Sequence, residues 1–384
     1  MKLANERLSA REHSPGERLE GVEMLRFVLA FCVVVYHYYF FGPHTKLIPF
    51  APLDGWGLGY LMFGVEAFFA VSGLVIVLST ARRTPVDFMI ARMARLGPTL
   101  LVASTVTLLT YHLLDVDPRV PGSGIKYLVS ITFFPLARLS GGLDPSLWSL
   151  SFEIRFYVLI FICMFWFNVR QHALPVATVM LAYDAIRLVL PVLLGRPFPA
   201  SLDVLRDYAP FFALGILLYH RHVTRTTGPA FMTVASVALV LGCIRCAQLL
   251  ESMNHLTLHL GPASFWQGIL AETLIVSALL CSLGSVRSAW LARLFRVLGR
   301  ASYPLYAVHQ LCGYWMLNFS VQHLHLQFDV RPVVVAFMVG SSVTFGNWVE
   351  PRLIRLYRTT LQSAYTTAAA LLPRRTLLAL AREN

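Results

Sequence analysis

The chain has 384 residues, of which 57% are apolar and only 14% are charged. A soluble domain carries about 25% charged residues, so the composition excludes a soluble globular protein and indicates a polytopic membrane protein. The net charge of +12 does not indicate a nucleic-acid partner, because the basic residues follow the expected membrane topology and favour anionic lipid headgroups.

Ten apolar segments are predicted as membrane helices, so the expected fold is an all-α polytopic bundle. We expect a cytoplasmic segment at 1–20, a membrane domain at 21–351 and a basic tail at 352–384 that forms an amphipathic helix at the inner surface. Segments on the predicted inner side hold about three times as many lysines and arginines as the outer loops, which predicts that both termini are cytoplasmic. The predicted spans are 22–41, 58–80, 97–115, 147–168, 174–194, 204–219, 229–250, 264–285, 297–321 and 332–350.

The first span contains both Arg26 and His37. Eleven residues of α-helix are about three turns, so the two side chains share one face and lie about 16 Å apart along the axis. A charged or titratable group at that depth costs several kcal/mol and marks a candidate functional site. The structural alternatives remain open: Arg26 extends to the headgroups or pairs with Glu23, and His37 is a packing residue.

Three further acids, Glu66, Glu153 and Glu272, are predicted in the outer half of the membrane together with His37. A carboxylate beside an imidazole orients it and raises its basicity, as general-base chemistry requires. The alternative is that each acid pairs with Arg155, Arg245 or a hydroxyl for structure. That alternative is favoured for Glu272 and disfavoured for Glu153.

The inner loop after the second span is basic. Arg82 and Arg83 are interpreted as ordinary positive-inside charge. Arg92 and Arg95 are three residues apart and precede Pro98, on one face of a short helix that enters the third span. Two guanidinium groups in this arrangement suit a phosphate group, so we expect a phosphate-bearing donor to bind there.

The ninth predicted span places His309 near mid-membrane, five residues after Pro304. The proline interrupts the helix hydrogen bonds and can open a cavity, so His309 is either a polar wall of a site or a packing residue. All six cysteines lie in apolar runs and are interpreted as small hydrophobic residues, including the Cys243–Cys246 pair. No histidine spacing indicates a metal site.

Five short motifs occur in a fixed order along the chain. Arg26 and His37 form an Arg-x10-His pair, Ser72 and Gly73 follow two phenylalanines, and Arg92 and Arg95 form R-x-x-R before Leu96 and Pro98. Residues 148–153 read W-S-L-S-x-E, and residues 299–309 read G-x-x-S-Y-x-x-Y-x-x-H. With these motifs the chain resembles the acyltransferase-3 family of integral membrane O-acyltransferases.

The resemblance implies that an acyl group, acetyl by default, moves from cytoplasmic acyl-CoA to a hydroxyl of a surface or lipid-linked glycan at the bacterial inner membrane. We expect the donor arm to follow the first helix from Arg26 to His37, which acts as general base or acyl carrier. Membrane lipids and a glycan acceptor are the expected partners, with no metal and possible self-association. Combining the resemblance with the buried polar residues, we expect His37 and Glu153 to act in catalysis. We expect Arg26, Arg92, Arg95, Ser72 and Tyr303 to bind the donor, and Trp148, Ser149, Ser151, Glu66 and His309 to bind the acceptor.

Three alternatives remain. The acceptor is a small secondary metabolite such as a macrolide, or the protein is a transporter that uses buried Arg, Glu and His residues. The chain shows no internal repeat of the kind that transporters often have. A different class of membrane acyltransferase would centre on Asn254 and His255, and it is disfavoured because an outer loop without an apolar cavity is predicted there.

Overall fold

The computed structural model describes residues 19–53, 57–113, 123–132, 143–199, 202–257 and 265–371. All regular secondary structure in these ranges is helical, which confirms the predicted all-α class. Residues 1–18 of the predicted N-terminal segment, the tail beyond residue 371 and most of the outer loop 116–146 lie outside the described residues.

The helices are numbered in chain order. The first helix ends in a π-helical turn, Tyr36–Phe41, and a last α-turn, Gly42–His44; a second π-helical turn, Phe345–Val349, joins the last two helices. The helices are α1 (Glu20–Val35), α2 (Gly64–Ser79), α3 (Pro85–Leu113), α4 (Ser123–Ile131), α5 (Trp148–Trp166), α6 (Ala173–Leu194), α7 (Ala209–Thr224), α8 (Pro229–Thr257), α9 (Phe265–Ser282), α10 (Ala289–Gln322), α11 (Arg331–Thr344) and α12 (Glu350–Leu371).

Eight helical segments of the described residues are long and apolar enough to cross a membrane. All ten predicted segments are helical, but α7 has only 16 residues, and α10 is long enough but too polar, with Arg300, His309 and Gln310 within it. The predicted count of ten spans is therefore not confirmed.

The chain divides into two compact units. The first unit comprises Met1–Thr45, Pro52–Leu78 and Val169–Gly299, and the second comprises Lys46–Ala51, Ser79–Asn168 and Arg300–Asn384. Each unit is built from segments that are distant in sequence, so the candidate residues that share a unit are known only from the tertiary structure.

In the first unit, α2 and α7 cross at two glycines. A Cβ on Gly73 would lie 2.2 Å from the Phe212 carbonyl oxygen, and a Cβ on Gly215 would lie 1.9 Å from the Ala70 carbonyl oxygen. Close helix approach through small residues is the usual way in which membrane helices gain packing energy. The glycine after Ser72 is therefore explained by this crossing.

A buried ionic network joins α6, α8 and the turn before α7 in the first unit. Arg245 lies 2.8 Å from Asp184 and 3.1 Å from Asp207, and Arg187 also contacts both carboxylates. Asp184 and Arg245 are 0% and 3% exposed. The network satisfies Arg187 and Arg245 within a predicted membrane region, where an unpaired charge would be costly.

In the second unit, α3 packs against α5 and α12. The predicted helix that enters the third span is the first part of α3, which runs unbroken through Pro98. Membrane helices tolerate proline because neighbouring groups satisfy the freed carbonyl. The expected tail helix is present from Glu350 to Leu371. Its Tyr357 ring packs closely on Gly97, because a Cβ added to Gly97 would lie 2.8 Å from the ring.

Candidate functional site

His37 lies at the start of the π-helical turn Tyr36–Phe41. Single π-helical turns inside α-helices are rare and occur frequently at functional sites. The half-buried His37 ring places Nδ1 2.8 Å from the Val33 carbonyl oxygen. A carbonyl oxygen only accepts, so Nδ1 carries the hydrogen and the basic lone pair is on Nε2. This tautomer suits a general base.

Arg26 is half-buried in the second turn of α1, and Glu23 lies one turn before it. Gly299 packs against the same turn, because a Cβ there would lie 2.9 Å from the Glu23 carbonyl oxygen. A pair between Glu23 and Arg26 therefore stays a prediction, as does the role of Arg26 toward a donor.

Two of the three predicted acids are buried in the first unit. Glu66 and Glu272 are each 3% exposed and interact electrostatically, and Glu66 Oε2 has no hydrogen-bond partner among the described residues. The Glu272 carboxylate lies against Gly242, where a Cβ would be 2.5 Å from Oε1, and Cys246 Sγ lies 3.8 Å from Oε2. The expected pairing of Glu272 with an arginine or a hydroxyl was wrong for the described residues, because its carboxylate contacts the Cys246 thiol and Arg245 pairs with Asp184.

Arg92 and Arg95 differ in their surroundings within the second unit. Arg95 lies 3.5 Å from Glu350, whose other oxygen accepts a 2.7 Å hydrogen bond from Thr99. Arg92 stacks over the Phe88 ring at 5.9 Å, and its Nε is buried without a hydrogen-bond partner among the described residues. The Arg92 guanidinium is therefore not fully hydrogen-bonded within the described residues, whereas Arg95 is held by Glu350.

Glu153 belongs to the same cluster as Arg92. The Tyr157 hydroxyl donates a short hydrogen bond to the Glu153 carboxylate, and both side chains interact electrostatically with Arg92. Tyr303 interacts with the same two groups, and its hydroxyl donates to the Leu96 carbonyl oxygen at 3.3 Å. The prediction separated Glu153 from the donor arginines, whereas the fold brings them together. Its pairing with His37 stays a prediction.

Arg83 adds charge to this region of the second unit. Partial burial and the neighbouring charge of Arg358 lower the pKa of the Arg83 guanidinium, and Asp87 opposes that shift. Arg83 also interacts electrostatically with Arg92. Repulsion between arginines that are held close together is relieved when an anion binds between them. Arg83, interpreted as ordinary inner-side charge, is therefore a candidate donor contact.

The acceptor candidates of the W-S-L-S-x-E motif are mostly held by the protein itself. The buried Ser149 hydroxyl lies 2.7 Å from the Tyr306 hydroxyl, and Ser151 donates to the Trp148 carbonyl oxygen. Trp148 is 37% exposed and has the most accessible side chain of the three. His309 is fully buried, with Nδ1 2.8 Å from the Tyr306 carbonyl oxygen, so it lies inside the packed unit.

The structure corrects the argument against Asn254 and His255. Both residues lie in α8, which extends to Thr257, and not in a loop. Asn254 lines an apolar cavity of about 1050 Å³ in the first unit, together with Trp266, Gln267 and Tyr60. The predicted absence of an apolar cavity there was wrong.

Sequence reasoning missed four residues of the second-unit cluster: Tyr157, Glu350, Arg83 and Arg358. Tyr157 follows Glu153 by four residues, and this helical spacing could have indicated the contact. Glu350 carries no such signal, because it is 251 residues from Thr99.

The described residues contain no group of three or more His, Cys, Asp or Glu side chains that could hold a metal ion. All six cysteines are free.

The apolar helices and the clustered Arg, Glu, Tyr and His side chains define an integral membrane protein with polar sites inside its helical units. The acyltransferase domain of the acyltransferase-3 family matches residues 19–349, so the chain belongs to this family. No curated protein and no solved structure matches the chain.

Proposed function

We propose that the protein is a membrane O-acyltransferase that moves an acetyl group from acetyl-CoA to a hydroxyl of a surface or lipid-linked glycan at the bacterial inner membrane. Membership of the acyltransferase-3 family supports the reaction class. The observation that carries the donor assignment is Arg92, whose buried Nε has no hydrogen-bond partner among the described residues. Guanidinium groups bind phosphate well, and CoA carries three phosphate groups.

In the proposed reaction, Nε2 of His37 removes the proton from the acceptor hydroxyl. The hydroxyl oxygen attacks the thioester carbonyl carbon, the carbon–sulfur bond breaks, and the CoA thiolate leaves and recovers the proton from His37. The Nδ1 contact with Val33 supports this role, because it keeps the lone pair on Nε2. Acylation of His37 itself before transfer is the covalent variant of the same chemistry.

The chain offers a matched control for His37. His44 lies on the same helical segment, and its Nδ1 makes the same contact with the carbonyl oxygen four residues earlier, at 2.7 Å from Phe40. We expect His37→Ala to lower acyl transfer from labelled acetyl-CoA in proteoliposomes by at least about 100-fold. His44→Ala also removes an imidazole whose Nδ1 contacts a helix carbonyl oxygen, and this variant should retain acyl transfer. Equal activities of the two variants would contradict the general-base role.

The donor role of Arg92 is tested separately. Arg92→Ala should raise the KM for acetyl-CoA by about 10-fold or more, as expected for the loss of one charge-assisted contact. Arg352→Ala removes an equal charge from an exposed position of the same unit and should leave the KM within about 2-fold. An unchanged KM in Arg92→Ala would remove the donor assignment. Uptake of label without transfer would indicate a transporter.

A further inference from the structure

Besides the apolar cavity, the first unit contains a polar cavity at the C-terminal ends of α7 and α9. Its volume is about 470 Å³. Its lining residues are Leu218, Arg221, His222, Arg225, Thr227, Leu280 and Leu283. The volume falls in the usual range of small-ligand sites. None of the residues assigned to catalysis, donor or acceptor lines this cavity.

The polar part of the cavity lining is basic and carries no carboxylate. The described residues place no ion pair on Arg221 or Arg225, in contrast to the paired Arg187 and Arg245 of the same unit. Arg225 ends α7 in the left-handed conformation, with φ 55°, and its N–H donates to the Arg221 carbonyl oxygen. A left-handed arginine is uncommon, and here the turn places a second guanidinium group at the cavity after the helix has ended.

Cations in the last turn of a helix on the inner side have an ordinary explanation, because they complement the helix dipole and the positive-inside rule. That explanation does not account for a cavity beside the arginines or for its apolar wall. Here Leu218, Leu280 and Leu283 form the remaining wall, so the cavity presents one cationic and one apolar side. A ligand that matches both sides is an amphiphile with an anionic head and an apolar chain.

We propose that this cavity binds the phosphate headgroup of an anionic glycerophospholipid of the inner leaflet, with the start of an acyl chain against the leucines. Basic pockets between membrane helices on the cytoplasmic side are suited to such headgroups. The proposal uses the inner-side location that the arginine distribution predicts for this end of α7. It does not depend on the proposed acyl transfer.

The test measures lipid binding to the purified, delipidated full chain by native mass spectrometry. The lipids are phosphatidylglycerol and phosphatidylcholine with the same acyl chains. The double variant Arg221→Ala/Arg225→Ala should bind phosphatidylglycerol about 30-fold more weakly than the original chain. The matched control is Arg287→Ala/Arg293→Ala, which removes the same charge from two exposed arginines of the same unit that do not line the cavity. The control should change the affinity by less than about 2-fold.

Equal losses in the two double variants would overturn the proposal, because general inner-side charge would then explain the binding. Equal affinity for the two lipids would also overturn it. Displacement of phosphatidylglycerol by inorganic phosphate at the same concentration would assign the cavity to a free anion instead of a lipid. If the double variant does not fold, Arg225→Gln alone should weaken phosphatidylglycerol binding by about 5-fold.

Discussion

The Ser149 hydroxyl lies 2.7 Å from the Tyr306 hydroxyl, although the two residues are 157 positions apart. The Tyr306 hydroxyl also lies 3.1 Å from the Ser146 carbonyl oxygen, which can only accept. Tyr306 therefore donates to Ser146 and accepts from Ser149. This chain of hydrogen bonds joins the W-S-L-S-x-E motif to the late G-x-x-S-Y-x-x-Y-x-x-H motif inside the second unit.

We predict that Tyr306→Phe destabilises the protein by about 1–3 kcal/mol, because the buried Ser149 hydroxyl and the Ser146 carbonyl both lose their contact with the phenol. Ser151→Ala is the control, because the Ser151 hydroxyl donates only to the Trp148 carbonyl oxygen of its own helix. Such a local hydrogen bond adds little to stability. Thermal unfolding in detergent should show a lower midpoint for Tyr306→Phe than for Ser151→Ala. The same midpoint in both variants would contradict the linking role.

We predict that Gly215→Ala is strongly destabilising. The added Cβ would lie 1.9 Å from the Ala70 carbonyl oxygen, so α2 and α7 would have to separate, at a cost of about 1–3 kcal/mol or more. Gly340→Ala provides the control, because a Cβ there meets nothing within 4 Å. Because alanine has a higher helix propensity than glycine, Gly340→Ala should leave the free energy of unfolding unchanged or raise it. Denaturation in detergent distinguishes the two, and a stable Gly215→Ala protein would show that the crossing is not close.

We predict that Asp184→Asn lowers the free energy of unfolding by about 3–5 kcal/mol, because it leaves the buried Arg245 guanidinium without its closest carboxylate. Arg206→Gln removes a pair that is 58% exposed on the arginine side, with 3.8 Å to Asp203, and should cost less than about 1 kcal/mol. Denaturant-induced unfolding in mixed micelles measures both changes. Similar costs for the two variants would show that the network is not a buried structural element.

We predict that Tyr157→Phe weakens donor binding without abolishing turnover. Loss of the hydroxyl releases the Glu153 carboxylate, which can then pair with Arg92 and compete with a phosphate group. The KM for acetyl-CoA should rise about 5-fold, the equivalent of one hydrogen bond, with kcat nearly unchanged. Tyr127→Phe, which removes a 3.1 Å contact with Thr105 in the same unit, is the control. A kcat effect without a KM effect would place Tyr157 in the chemical step.

We predict an acid-sensitive contribution from Asp329. Its hydrogen bonds with Arg331 hold the pKa of Asp329 below the ordinary value of 3.8. A carboxyl whose pKa is depressed in the folded state adds stability above its unfolded pKa, and this stability is lost as the pH falls through the folded pKa. Asp329→Asn should therefore lower the unfolding midpoint most at about pH 6, and this effect should shrink steadily as the pH falls below about 4. An effect that does not shrink over that range would exclude this linkage.

The position of Arg331 gives the Asp329 contact its structural meaning. The Arg331 guanidinium donates to the Ala51 carbonyl oxygen at 2.9 Å and lies 5.2 Å over the Phe50 ring. Asp329 orients this guanidinium at the start of α11. In Asp329→Asn, the lower unfolding midpoint at neutral pH should be accompanied by faster hydrogen exchange at residues 50 and 51, because Arg331 would then be less firmly held against them.

Several parts of the candidate site could be predicted from the sequence, because they depend on neighbours along one helix. His37 was identified as an isolated titratable residue in an apolar run, and its Nδ1 contact with Val33 is a local i to i−4 bond. The sequence does not predict the π-helical turn at Tyr36–Phe41, because a single π-helical turn produces no recognisable periodicity of apolar residues. The predicted loop at Asn254 was wrong, because the predicted span ends at residue 250 whereas α8 extends to Thr257.

The sequence by itself determined the membrane class, the helical architecture and the family motifs, because apolar run length and short-range spacing are properties of a linear chain. Only the tertiary structure decided which of these residues meet. Glu153 interacts electrostatically with Arg92 and Tyr303, Arg95 pairs with Glu350, and Glu272 interacts electrostatically with Glu66. These partners are distant in sequence and are selected by helix packing and by the cost of leaving a buried charge unpaired. The local pattern of residues encodes neither effect.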